Sequence, residues 1–196
     1  MSEPITVEQA KTKKLKKGEK EKKPLDIKKE ILSWILTLGA AVLIALVIRT
    51  FLFEPVKVDG GSMLDTLSDK EVMFVTKPEY LFGDPKHGDV IICRYPERTE
   101  YFVKRVIAVP GDNIYIDGVN VFVNDEKVDD HYLSSERNRF DHTMSEKTLG
   151  TDEYFVMGDN RDNSNDSRSV GPLHRDQIIG HVRYVIFPFN QIRPIE

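Results

Sequence analysis

The chain has 196 residues, with 28 basic and 32 acidic side chains for a net charge of −4, and a single cysteine. A lone cysteine excludes an intramolecular disulfide, so any folded domain must be held by its own core. The charge is spread unevenly, and the first clue to organisation lies in that asymmetry.

Residues 1–30 hold ten lysines and six acids, a net of +4, which leaves 18 basic and 26 acidic side chains, a net of −8, for the rest. This lysine-rich tail lacks the apolar residues to fold and is expected to be disordered. Beside an apolar span its simplest partner is anionic membrane lipid, and no nucleic-acid partner is expected. From Ile31 to Ile48 eighteen residues run without a charge, about 27 Å as a helix and enough to cross a bilayer core. The run is too long for a cleaved secretory signal, no small-residue cleavage site follows Arg49, and it lacks the polar face of a buried core helix. Ser33 and Thr37 interrupt it, and each can bond a carbonyl one turn earlier. The expectation is an uncleaved signal anchor over residues 31–53, amino terminus cytoplasmic and the remainder extracytoplasmic, because the lysines precede the span.

Residues 54–196 are long enough for one domain with a core. Strand-like runs recur at Glu71–Lys77, Asp89–Tyr95, Tyr101–Val109, Asn113–Ile116, Val119–Val123, Glu153–Met157 and His181–Phe187, so the fold class expected is mainly β. Asp117-Gly118 signals a two-residue hairpin, and Pro110-Gly111 a tight turn. Residues 129–150, polar and weakly patterned, read as an inserted surface loop. Cys93 reads as a small apolar packing residue.

Three stretches carry chemistry. Ser62 follows Gly60 and Gly61, which have no Cβ to obstruct an approaching substrate, though an ordinary Gly-Gly-Ser turn has the same residues. Lys104, by alternation, shares a strand face with Phe102, Val106 and Ala108. An ammonium there is poorly solvated; each unit of pKa depression removes about 1.4 kcal/mol of the roughly 4 to 5 kcal/mol that an ordinary lysine needs to act as a base near neutral pH. A lysine held neutral can activate a serine without any histidine; the alternative is a lysine snorkelling from an edge strand. The third stretch, Gly158-Asp-Asn-Arg-Asp-Asn-Ser-Asn-Asp-Ser-Arg168, is either a solvated loop or a support that holds a catalytic amine. An EF-hand started at Asp162 puts Ser167 and Leu173 where Gly and Glu are needed, so calcium is not expected. No spacing indicates zinc, and His87, His131, His142, His174 and His181 lie in no recognisable hydrolase setting, so neither metal nor cofactor is expected.

Gly61–Leu67, Lys104–Asp112 and Gly158–Arg168, in this order behind one anchor, resemble the motifs of bacterial type I signal peptidases, Ser/Lys membrane proteases, in their short Gram-positive form. The resemblance implies a signal-peptidase-like catalytic β domain behind a single amino-terminal transmembrane helix. It makes Ser62 the nucleophile and Lys104 the general base, with Ser164 hydrogen-bonded to the lysine amine. It also implies a supporting ion pair between Asp166 and Arg168, and Asp159 meeting Arg105 on the far face of the lysine strand. The oxyanion falls to the Ser62 N–H; some members carry a hydroxyl donor two residues earlier, where Gly60 offers its backbone or a water. Asp65 stands where proline is common, implying a less rigid turn. The implied substrates are signal peptides of exported preproteins, with small residues one and three positions before the cut, bound as an extended strand. Phe51, Leu52, Phe53, Leu81 and Phe82 are candidates for an apolar rim on the bilayer. Two rivals remain: a LexA-type autoprotease, which carries a DNA-binding domain in place of an anchor, and a non-catalytic anchored β module, in which Ser62→Ala changes nothing.

Overall fold

The computed structural model describes residues 27–51, 53–77, 79–96, 98–134, 139 and 141–195; the lysine-rich tail to residue 26 lies outside them. The chain divides into two compact units, residues 1–45 and 46–196. Helix α1 runs over Ile27–Phe51. Its segment Ile27–Val47 has a mean hydropathy of 2.2, and its apolar side chains are exposed all round, Trp34, Leu36 and Leu38 among them. Thr37 Oγ1 donates to the Ser33 carbonyl at 2.8 Å, which satisfies inside the helix a hydroxyl that lipid could not.

The second unit is mainly β. In chain order its elements are β1 (Phe53–Lys57), β2 (Val72–Thr76), α2 (Glu79–Phe82), β3 (Val90–Cys93), β4 (Phe102–Ala108), β5 (Asn113–Asp117), β6 (Asn120–Val123), β7 (Glu126–Lys127) and β8 (Met144–Thr148). These are followed by β9 (Glu153–Met157), α3 (Ser167–Val170), β10 (Leu173–His174), β11 (Ile178–Phe187) and β12 (Arg193–Pro194). One antiparallel sheet has the order β1-β2-β11-β3-β4-β9-β10, with β12 beside β11; a smaller sheet has the order β7-β6-β5-β8.

The residue pattern explains the layering. Strand β2 alternates, turning Met73 and Val75 inward, whereas all four residues of β3 are buried because it is central and covered on both faces. Ile92 joins Val58, Met63, Leu67, Met73 and Val182 on one face, and Ile91 joins Tyr80, Val106, Val156 and Leu173 on the other. Each such side chain contributes about 1.5 to 3 kcal/mol by leaving water. A third cluster of Ile107, Ala108, Ile114, Ile116, Phe155 and Met157 unites residues from the two sheets.

Four features differ from the sequence expectation. The β4–β9 register steps from Val106↔Val156 to Ala108↔Phe155, so β4 carries one extra residue and bulges. Ala108 therefore packs in the third cluster and not with Val106, because a bulge breaks the alternation that put both on the Lys104 face. Strand β1 has no counterpart among the expected strands; Pro55 disfavours a strand interior, but β1 lies at the sheet edge, where a missing N–H costs little. Strand β8 lies inside residues 129–150; it is polar because it too is an edge strand, with one apolar anchor, Met144, packed against the third cluster. The β5–β6 loop is Gly118-Val119, one residue later than expected, since Asp117 pairs with Asn120. The Pro110-Gly111 turn forms as read, closed by the Asp112 N–H on the Val109 carbonyl at 3.1 Å.

Candidate active site

Strand β4 places two long cations side by side, and both are almost fully buried, Lys104 at 1% exposure and Arg105 at 2%. Lys104 Nζ lies 2.8 Å from Ser62 Oγ and donates to the Val103 carbonyl at 3.0 Å. Burial pushes this amine below its ordinary value near 10.5, against the upward pull of the Asp166 and Asp159 carboxylates. Nearby Cys93 is fully buried, and burial pushes its thiol up to about 12. It is a packing residue and not a nucleophile.

The Ser62 loop is held from several sides. Met63 and Leu67 anchor it in the core, and the Leu67 N–H closes a turn on the Met63 carbonyl at 2.7 Å. Behind the loop, Asn160 Nδ2 donates to the Gly61 carbonyl at 2.8 Å and the Asn160 N–H to the Ser62 carbonyl at 3.0 Å. Gly158 passes so close that a Cβ on it would lie 2.2 Å from Ser164 Oγ and 2.5 Å from the Ser62 carbonyl oxygen. Any side chain there would move the nucleophile.

Arg105 takes Asp159 in a two-pronged pair, Nε to Oδ1 at 3.0 Å and Nη2 to Oδ2 at 2.8 Å. The Thr66 hydroxyl donates to the same carboxylate, which ties the lysine strand to the Ser62 loop. Arg193 donates to the Thr66 carbonyl at 2.8 Å and to both Glu71 oxygens at 2.8 and 2.9 Å. Burial raises the Glu71 carboxyl, but Arg193 and the Ser68 N–H pull it lower still, to below its ordinary value.

Asp166 accepts from Arg168 Nε at 2.8 Å and Nη2 at 2.9 Å, and from the Gly158 N–H at 3.0 Å. Burial opposes its ionisation, yet Arg168 and that N–H leave it below its ordinary value. Farther out, the Tyr132 ring covers the Arg105 guanidinium at 3.9 Å, and Asp130 pairs with Arg161 at 2.9 Å.

Ser62 and Lys104, Asp159 and Arg105, and Asp166 and Arg168 thus meet as the sequence reading paired them. Two expected contacts are absent. Among the described residues the buried Ser164 hydroxyl has no well-formed hydrogen bond; it lies close enough to Asp166 to lower that carboxyl, while the lysine amine also donates to Val103 on its own strand. The Gly60 N–H is occupied by Asp69 Oδ1 at 2.9 Å, so the backbone at that position is not free for an oxyanion. The Ser62 N–H has no acceptor among the described residues. The sequence does not point to Asn160, Thr66, Arg193 or Tyr132 because their partners are distant, Asn160 reaching back 99 residues and Arg193 127; Asp69 is only nine residues from Gly60, but no local pattern pairs them. Of the apolar rim, Phe82 is exposed, and the side chains of Phe51, Leu52, Phe53 and Leu81 lie outside the described residues.

Asp65 has φ +79°, a left-handed conformation closed to proline, whose φ is locked near −65°. The turn is therefore built differently from a proline turn rather than loosened. Asp65→Pro is expected to lose at least about 1 kcal/mol, and Asp65→Gly to keep or gain stability. Denaturant midpoints of the two variants check this; a proline variant as stable as the parent would contradict it.

A cleft of about 500 Å³ opens beside Ser62, lined by Val56, Val58, Met63, Phe102 and Val103 with Glu100 near its rim. A larger cavity of about 820 Å³ borders Arg105, Tyr132, His181 and Arg183 but contains neither Ser62 nor Lys104. Size alone does not mark the site; the reactive pair does.

Residues 31–187 match the family described as signal peptidase, peptidase S26. The chain is 38% identical over 182 residues to a signal peptidase I of Bacillus licheniformis, covering 88% of this chain and 97% of that protein. It is 40% identical over 174 residues to a signal peptidase I P of Bacillus subtilis subsp. natto, covering 85% and 94%. A crystal structure of a signal peptidase I from Enterococcus faecalis V583 aligns with 50% of this chain and 97% of that one, at 25% identity and a TM-score of 0.42. With a family match that runs from within α1 to the last residue of β11, and relatives aligned over nearly their whole length, the chain belongs to the signal peptidase family, peptidase S26.

Proposed function

We propose that this protein is a membrane-anchored serine endopeptidase that removes signal peptides from exported preproteins, with Ser62 as nucleophile and Lys104 as general base. The single observation that carries this reading is the 2.8 Å contact between Ser62 Oγ and a buried lysine amine. Neutral Lys104 takes the Ser62 proton as Oγ attacks the scissile carbonyl; the amine then protonates the leaving group, and an ester acyl-enzyme remains. Lys104, neutral again, activates the water that releases it. The Ser62 N–H holds the oxyanion, and with the Gly60 N–H engaged by Asp69, a water supplies any second donor. Asp159 with Arg105 and Asp166 with Arg168 hold the two loops, and Ser164 packs behind them.

The substrate is an extended peptide laid in the cleft beside β1, whose outer edge has no neighbour in the sheet among the described residues. Val56, Val58, Met63, Phe102 and Val103 favour small apolar side chains near the cut. Residues 1–30 form the cytoplasmic tail, 31–53 the anchor and 54–196 the extracytoplasmic catalytic domain, an orientation argued from the +4 tail. Anionic lipid is the partner of that tail. Cleavage of a synthetic signal peptide at a single bond by the wild type, and none by Ser62→Ala, tests the reading; equal cleavage by both would overturn it.

Activity should follow the amine. Its depressed pKa sets the rising limb of kcat/KM against pH, because only the unprotonated lysine can accept the serine proton. The limb is expected to level off below the ordinary lysine value. A profile still climbing steeply at about pH 10 would mean that burial has not tuned this amine, and another base would have to be sought.

A further inference from the structure

We propose that Asn160 is a positioning residue for the oxyanion donor, aiming and polarising the Ser62 N–H through the Gly61 carbonyl. The inference rests on the Ser/Lys reading above and deepens it. The Gly61 carbonyl and the Ser62 N–H belong to one peptide plane, and in a trans peptide the two point in opposite directions. Asn160 Nδ2 holds that carbonyl at 2.8 Å, which turns the N–H to the side away from Asn160. The next plane is held as well, by the Asn160 N–H on the Ser62 carbonyl at 3.0 Å. The Leu64 N–H also meets the Gly61 carbonyl, at 3.3 Å, but the Asn160 bond is the shorter one, and Asn160 is the residue common to both planes that flank the nucleophile.

Asn160 is itself fixed. It is 6% exposed, follows Asp159 with its pair to Arg105, and its own carbonyl accepts the Asn163 N–H at 3.0 Å. The polarising effect has the same source as the aim. A carbonyl that accepts a hydrogen bond draws electron density along its amide and makes the N–H of that amide a better donor, by about 10 to 30% per bond. The Ser62 N–H bears this role without help from Gly60, whose N–H serves Asp69. Removing an oxyanion donor outright costs about 10²- to 10³-fold in kcat; loosening the aim of one that remains is expected to cost about tenfold.

The test is Asn160→Ala in the full chain, which leaves the main-chain bond to the Ser62 carbonyl in place. Cleavage of a signal-peptide substrate is measured per titrated active site, together with affinity for a peptide boronic acid. The boron bonds to Ser62 Oγ and becomes four-coordinate, so one of its oxygens stands where the oxyanion forms. The expected result is kcat and boronate affinity both lower by about tenfold, with KM within about twofold of wild type, since Asn160 is not among the residues that line the cleft beside Ser62. Asn160→Asp, nearly the same shape but with an acceptor facing the Gly61 carbonyl, should lose at least as much and serves if the alanine variant does not fold. Wild-type kcat and boronate affinity, or a loss that vanishes once rates are counted per active site, would overturn the positioning role. Wild type and Ser62→Ala run alongside decide the protease reading separately.

Discussion

Replacing Ser62 by alanine, or Lys104 by methionine, is expected to lower kcat on a signal-peptide substrate by at least about 10⁴-fold, with the β unit still folded. Each change removes a reacting group and little else. Ser62 sits on a loop whose shape comes from Met63, Leu67 and main-chain bonds to Asn160, none of which involves its hydroxyl. Methionine matches the lysine stem and fills the same space. It also brings no ammonium into an apolar site, so it should match or exceed the wild type in stability at neutral pH. The pH dependence of stability separates this from an accident of packing. The folded pKa of Lys104 is depressed, so between that value and 10.5 the unfolded chain holds a proton that the folded chain lacks, and stability rises with pH across this window. Lys104→Met should remove that rise from a series of melting curves. Activity retained in Lys104→Met would sink the Ser/Lys mechanism. Lys104→Arg should be as inactive, because a guanidinium does not give up its proton.

The largest loss of stability is expected from Asp159→Ala, about 3 to 5 kcal/mol. Asp159 and Arg105 are 1% and 2% exposed, so removing the carboxylate leaves a guanidinium in the core with no counter-charge from Asp159, held by neutral contacts such as the Gly88 carbonyl at 2.9 Å and the Tyr132 ring. Such a cost belongs to the orphaned charge more than to the pair. Replacing both residues by apolar side chains of similar volume, Asp159→Leu with Arg105→Met, should therefore return much of the stability. It should not return activity, because Thr66 would still lack the carboxylate that ties the Ser62 loop to β4. Denaturant unfolding of the two single variants and the double variant gives the coupling directly. A single variant within about 1 kcal/mol of wild type would mean that water reaches this pair.

What could be read in the sequence depended on range. Strand β4 and the run at β3 announce themselves through neighbouring Val and Ile residues, and Lys104 is conspicuous because such runs seldom hold a charge. The pairs Asp166–Arg168 and Asp159–Arg105 came from the family resemblance, and they form. Position along β4 was legible only as far as the bulge, since alternation fails where two residues oppose one, and Ala108 fell on the wrong face. Asp65 shows a different limit: the absence of proline was visible, but a positive φ, which aspartate tolerates, was not. At Gly60 either the backbone or a water is expected to serve the oxyanion; Asp69, nine residues on, takes that N–H, which leaves the water. The expected Ser164–Lys104 bond does not form among the described residues: the amine meets Ser62 and Val103, and the Ser164 hydroxyl lies toward Gly158 and Asp166 instead. Such contests between partners depend on three-dimensional distance, which no local pattern encodes.

The bonds that hold the catalytic pair span 42 residues from Ser62 to Lys104, 93 from Thr66 to Asp159 and 127 from Thr66 to Arg193. Contacts of such separation form late, because the entropy of closing large loops must be met before they contribute. The nucleophile loop, near the start of the β unit, cannot take its final shape until the last strands have arrived. Proteolytic competence should thus appear as one of the last events of folding, after the sheet has closed around β4. An incompletely folded chain would hold an ordinary serine and an ordinary protonated lysine, and a protease assembled this way cannot attack its neighbours while it is still finding its own structure.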